Sequence, residues 1–341
     1  MHRNAIRVIL LHTEIVSCRV IPTLKDFLKK QWFLISLVLL FAIGVGFEAQ
    51  LSELTTQRWL KNAIVATVLF AMALPLDVSA MASGLRRPKG TLLAILMNFG
   101  VLPLVALAVA TLLSGELKDG FLVAAVIPCT LASASVWTRK AGGNDSISIM
   151  VTIITNLSCF VISPLWLMWF FGSDSANLKI SFPDMVSKLG LLVVLPMGLA
   201  QVVRLNKRIG KWSTENKKKL SLFCQCGILS MVFIGAVGMG SRISADPESF
   251  GPAVFAMAIV AVLVVHCSVF WLGIGTGNAI GLSRPDAIAV GFSGSQKTLM
   301  VGLQICMDLG VSILPMVAFH VSQLFADTIF ADILNRKDTD A

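Results

Sequence analysis

Gly291-Phe292-Ser293-Gly294-Ser295-Gln296-Lys297-Thr298 interrupts a run of otherwise apolar residues, Ala287 to Met307. It sets two glycines, two serines, a glutamine, a lysine and a threonine where a buried span would carry hydrocarbon. In water such a stretch reads as a loop. In a bilayer no solvent satisfies its backbone, so the rest of the chain must hold it. The fold follows from which of these solvents surrounds it.

Composition decides for the bilayer. The 341 residues are 56% hydrophobic and only 14% charged, with no tyrosine, against about 25% charged residues in soluble domains. The apolar residues come in long continuous runs. A span needs roughly 20 such residues to cross about 30 Å of hydrocarbon, and the runs are too long and too uniform for barrel strands. The chain therefore reads as an all-α polytopic membrane protein. The seven cysteines lie singly in apolar runs, or as Cys224 and Cys226, whose spacing does not fit CxxC; they read as packing residues. Met1 to Thr23 lacks a long apolar core and a cleavage pattern, so an amphipathic surface helix or an unstructured start is expected, and no signal peptide.

Ten spans are expected: 32–47, 61–81, 91–114, 120–138, 146–171, 185–203, 221–239, 252–274, 287–308 and 309–333. Residues 1–31 then form an N-terminal segment, 32–203 the first five spans plus the sixth, 204–220 a basic loop, 221–333 spans seven to ten, and 334–341 a tail. With the N-terminus inside, 21 of the 28 lysines and arginines fall on one side and six on the other, and the remaining one, Lys297, falls within the membrane. This is a strong positive-inside bias. It predicts both termini in the cytoplasm, at an inner or plasma membrane. The +9 net charge is thus a topology signal and no footprint for nucleic acid.

Ten spans divide into two halves of five, and because five is odd the halves are inserted with opposite orientation. Such inverted repeats place their sites at discontinuous helices near the midplane. Matching spans are interrupted here. Span four carries Pro128-Cys129-Thr130-Leu131-Ala132-Ser133-Ala134-Ser135, and span nine the opening stretch. Proline removes a donor and clashes with the preceding turn, and Gly291 and Gly294 weaken a helix entropically.

Lys297 is the most informative residue. A lysine at a span centre costs about 2.5–3.5 kcal/mol on insertion scales, and a leucine or valine returns only about 0.3–0.6 kcal/mol. Its side chain is expected to neutralise an anionic substrate, to occupy a cation site, or to titrate if burial depresses its pKa. Asn98, Ser133, Ser135, Ser148, Thr152 and Asn156 form a second polar set, with Ser148, Thr152 and Asn156 on one face of span five at i, i+4 and i+8. Ser293, Ser295, Gln296 and Thr298 join Lys297 in the candidate binding site. Asp77 and Asp327 read as solvated residues near the ends of their spans. His266, His320 and Gln323 read as helix-packing partners. The Lys-Thr ending of the opening stretch is no phosphate loop, since glycine does not precede the lysine and no strand is available. No catalytic motif is visible, so no enzyme is expected.

Leu74 to Pro103, with Asp77, Arg87-Pro88, Asn98-Phe99 and Leu102-Pro103, resembles the second and third spans of the bile acid:sodium symporter family. The stretch 132–152 and the turn Gly294-Ser295-Gln296 are similar to its two crossing helices, and 291–298 with the ending 319–337 resembles the branch named after member 7. The resemblance implies ten helices as two inverted five-helix repeats, with spans one, two, six and seven as a panel, the rest as a core, and broken helices four and nine crossing. It implies sodium ligands at Asn98, Ala134, Ser135, Ser148, Thr152 and Gln296. Two positions depart from the pattern: Ala134 stands at a serine position, and Phe292 where the family has an acidic residue. With Lys297 added, a bound sodium ion meets a like charge, worth about 4 kcal/mol at 4 Å and an effective dielectric of 20. Any sodium site, built from Ser135, Ser148, Thr152 and Gln296, is expected to be weak.

The function expected is a secondary active, symporter-like transporter of a small organic anion, working by alternating access in a lipid bilayer. No cofactor other than sodium is expected. The alternative is a calcium-related membrane regulator that keeps the carrier fold without moving solute.

Overall fold

The structure is a computed structural model, and its described residues are 24–76, 87–172, 181–247 and 250–339, with side chains from 31 to 335. The predicted N-terminal segment up to Thr23, Asp77 and the end of the second predicted span lie outside them. The chain divides into two compact units after Leu39. The second, Leu40–Ala341, carries the site.

The described residues form helices and turns with no strand. We number the helices α1 (Leu24–Gly46), α2 (Arg58–Ala73), α3 (Pro88–Ala110), α4 (Gly115–Val126), α5 (Ala134–Lys140), α6 (Asp145–Phe171), α7 (Phe182–Arg204), α8 (Lys217–Ala245), α9 (Pro252–Ala279), α10 (Arg284–Ser295), α11 (Leu299–Leu309) and α12 (Leu314–Thr339). Short helices lie at Glu48–Leu51, Glu53–Thr56 and, within the basic connection, Lys207–Glu215. Among the described residues, six helices are long and apolar enough to cross a membrane: α3, α6, α7, α8, α9 and α12. The fourth and ninth predicted spans are each two half-helices, α4 with α5 and α10 with α11.

Local chemistry sets the ends. The Asn144 side chain accepts from the Ser146 amide to start α6, and Ser283 accepts from Asp286 to start α10, each satisfying an orphan donor. α11 stops at Gly310, whose φ of 71° is the left-handed geometry of a C-terminal cap.

α3 widens into a π turn at Met97–Val101, and Pro103 explains its consequence. The Leu102 amide bonds Met97 O rather than Asn98 O. In that register Asn98 O falls to residue 103, which has no N–H. In the ordinary α register Pro103 would instead leave Phe99 O open. Asn98 O is therefore free for a side chain, and Phe99 O accepts from Trp166 Nε1 at 2.7 Å.

The interruption of the ninth span is narrower than its composition suggests. Gly291 to Ser295 are helical, and only Gln296 to Thr298 are not. The glycines serve close approach instead of weakening the helix. A Cβ at Gly291 would lie 2.8 Å from Ile274 Cγ1, and one at Gly294 only 2.7 Å from Met97 Cβ. The first break is longer, 127–133.

α2 packs against both α7 and α8, while α10 lies against α3, α6 and α9, and α12 against α4 and α9. Between these two groups, the ion pairs and side-chain hydrogen bonds of described residues gather at one end. Lys188 of α7 pairs with Asp308 of α11 at 2.5 Å. Arg242 of α8 pairs with Glu116 of α4 and also donates to Gly310 O. Gln304 of α11 donates to Asn62 of α2 at 3.3 Å. This end lies opposite the Lys217–Lys219 start of α8, about 35 Å away at 1.5 Å per residue.

Gly294→Val should lower the thermal midpoint in detergent, at a cost of about 1–3 kcal/mol for forcing a rigid Cβ into α3. Gly275→Ala, where an added Cβ meets nothing within 4 Å, should leave the midpoint unchanged.

Candidate functional site

The two breaks meet. The Thr298 amide donates to Pro128 O at 3.0 Å, and Ser133 Oγ donates to Gln296 Oε1 at 3.0 Å. A helix break inside a membrane needs a partner for every freed backbone group, and here the partners come from four other helices. Asn98 of α3 donates through Nδ2 to Ser293 O and Gln296 O, both at 3.0 Å. Gln323 of α12 imitates a backbone pair: Oε1 accepts from the Lys297 amide at 2.9 Å and Nε2 donates to Lys297 O at 3.0 Å.

The first break is held by the polar face of α6. Thr152 Oγ1 donates to Thr130 O at 3.1 Å, Asn156 Nδ2 to Cys129 O at 2.8 Å, and the Cys129 amide to Thr155 Oγ1 at 3.2 Å. Thr155 is absent from the i, i+4 pattern that singled out this face. Only the break, which offers donors as well as acceptors, explains its place.

Lys297 sits where the breaks touch, fully buried. Its ammonium donates to Asn98 O at 2.8 Å, Asn98 Oδ1 at 3.1 Å and Ile127 O at 2.8 Å. Three donors thus meet three neutral oxygens. Asn98 O is the carbonyl released by the π turn before Pro103. Ile127 O caps the C-terminus of α4, the negative end of that half-helix dipole. The Phe99 ring adds its face at 5.6 Å. The ammonium is held as a bound cation is held, with no carboxylate of the described residues hydrogen-bonded to it.

Asp327 is not a solvated residue near the end of its span. It is fully buried, because Phe330 and Leu334 continue the buried face of α12 beyond it. Its Oδ1 lies 2.9 Å from His266 Nε2, and its Oδ2 accepts from Gln296 Nε2 at 2.5 Å. His266 Nδ1 lies 3.2 Å from Ser295 O at the end of α10. A carbonyl only accepts, so Nδ1 carries the proton of that contact. Asp327 is thus taken up by His266 and Gln296, and Lys297 by other groups.

The other candidate residues are placed variously. Ser148 Oγ bonds Thr138 Oγ1 at 2.7 Å. Ser293 and Ser295 donate back to Ala289 O and Gly291 O of their own helix. Ser135 is half-buried in the first turn of α5, and Thr298 is buried at the start of α11. Phe292, at the position where an acidic residue was expected from the resemblance, packs in an aromatic cluster, 4.8 Å from Phe270.

Residues 31–336 match the family model described as the SBF-like CPA transporter family. The chain belongs to that family. It is similar to sodium/bile acid cotransporter 7-B of Xenopus laevis, 22% identical over 89% of this chain and 91% of the relative. It is also similar to sodium/bile acid cotransporter 7 of Rattus norvegicus, 22% identical over 88% and 91%, and of Danio rerio, 23% identical over 88% and 92%. Membership makes this chain an integral membrane transporter and not an enzyme.

Gln323→Leu should strand the Lys297 N–H and C=O inside the protein, at about 1–3 kcal/mol for each unsatisfied group. Thermal unfolding in detergent should show a lower midpoint for this SBF-like transporter variant, whereas Ser148→Ala, remote from the break, should change it far less.

Proposed function

We propose that the protein is a secondary active transporter of a small organic anion that works by alternating access without a sodium ion. The observation that carries this reading is the coordination of Lys297. Its ammonium occupies the meeting point of two helix breaks and spends all three donors on neutral oxygens. It is the cation of the site, covalently attached, and it leaves no donor for substrate. Of the three roles expected for Lys297, the cation role is the one its contacts favour.

In this reading ten spans form two inverted repeats, with both termini cytoplasmic in an inner or plasma membrane. The α2–α7–α8 group is the panel, and α3 to α6 with α9 to α12 the core. The crossing set of Asn98, Ser133, Ser135, Ser148, Thr152, Asn156, Ser293, Ser295, Gln296, Lys297 and Thr298 is the hub about which the core moves. The ties between the groups support rocking. They lie at one end, so breaking Lys188–Asp308 and Arg242–Glu116 opens that end while the hub stays intact.

Uptake of radiolabelled short-chain carboxylates into proteoliposomes should proceed at full rate when sodium is replaced by choline on both sides. Lys297→Ala should abolish it, and ethylammonium, which restores the missing cation, should recover part of the rate. An obligatory sodium requirement in the wild type, or a sodium-driven current that survives Lys297→Ala, contradicts the proposal.

A further inference from the structure

Lys61 is a second buried lysine, and the crossing does not use it. It lies in the first turn of α2, where the sequence places it among the flanking cations, yet its exposure is only 8%. Its ammonium donates one hydrogen bond, to Thr55 O at 2.8 Å, and forms no ion pair with the described residues. Two of its three donors find no acceptor among the described residues. Asp308 attracts Lys61 from a distance, but that carboxylate is taken up by Lys188 at 2.5 Å and Gln304 at 2.8 Å.

Lys61 lines a cavity of about 180 Å³ between α2, α8 and α11. Arg242 lines it as well, and Ile234, Met239, Met307 and Ile313 supply apolar wall. Charges around it pair off as Lys188 with Asp308 and Arg242 with Glu116, which leaves Lys61 as the surplus. Arg242 has five N–H donors, and its contacts with Glu116 and Gly310 O leave some of them open. A buried, incompletely bonded cation beside an apolar wall is the complement of a carboxylate with a short hydrocarbon body. Drug-sized ligands need about 300–1,000 Å³, so a steroid does not fit this cavity as it stands.

We propose that this cavity is an anion-binding site: a small monocarboxylate seats its carboxylate between Lys61 and Arg242 and its body against Met239, Met307 and Ile313. The proposal rests on the transport reading in one respect, that the bound anion is the cargo. It lies between the two helix groups, beside the ties that hold them together. An anion that competes with Glu116 for Arg242 loosens one of those ties as it binds.

The test is calorimetric titration of the purified full-length protein in detergent with butanoate, hexanoate and benzoate, and with hexylamine as the control of opposite charge. Carboxylates should bind and hexylamine should not. Lys61→Gln should weaken binding about 10- to 100-fold, the worth of one hydrogen bond to a charged group, and Lys61→Arg should largely retain it. Gly238→Val keeps every charge and fills the cavity, since an added Cβ there meets only Thr55 Cγ2 at 3.8 Å. It should abolish binding in a protein whose thermal midpoint is unchanged. No carboxylate binding to the wild type, or binding that Lys61→Gln and Gly238→Val both leave intact, overturns the site. Binding that follows these variants without liposomal uptake keeps the site and sinks the transport reading. Uptake with binding indifferent to them does the reverse.

Discussion

An ammonium taken out of water must be given back its hydrogen bonds, and the interior of this protein is arranged around doing so for Lys297. An uncompensated buried charge costs several kcal/mol even after relaxation. The compensation comes from three oxygens on two separate helices. Each oxygen has its own cause. Pro103 and the π turn free one carbonyl, the stop of α4 frees another, and the Asn98 side chain supplies the third while its amide group ties down the second break. Removing any of these causes leaves the lysine short of a partner. Removing the lysine leaves carbonyls facing one another.

The rest of the crossing follows from the same accounting. Gln323 closes the backbone at Lys297, Thr152, Thr155 and Asn156 close it at the first break, and Asp327 with His266 fixes Gln296. In the proposed reading the Lys297 ammonium, fixed by a covalent stem, stands where a carrier coupled to a metal cation would leave a place for the ion.

Much of this was legible because polar residues in lipid need a reason. Lys297, the two breaks and the face of α6 stood out against hydrocarbon, and the pairing of the breaks was expected from their matching places in two supposed halves of five spans. The extent of the second break was misjudged because glycine serves two ends. At Gly291 and Gly294 it permits helices to touch, which only the positions of Ile274 and Met97 reveal. Asp327, His266 and Gln323 were undervalued for a related reason. Periodicity assigns a residue to a face, but it does not say which backbone that face will meet. Lys61 was hidden by its address near a span end, where snorkelling to water is the ordinary outcome.

The Xenopus and rat relatives are named for sodium and bile acid, while this chain has Phe292 and Lys297 at the crossing. The central claim is that Lys297 is the resident cation of a site that would otherwise hold a metal ion. Rubidium soaked into crystals of Lys297→Ala, and into the wild type under the same conditions, tests it by anomalous scattering. The account predicts a peak in the variant at the former Nζ position, in contact with Asn98 O and Ile127 O, and none in the wild type. A vacant position in the variant, or a rubidium ion bound beside an intact Lys297, would contradict it.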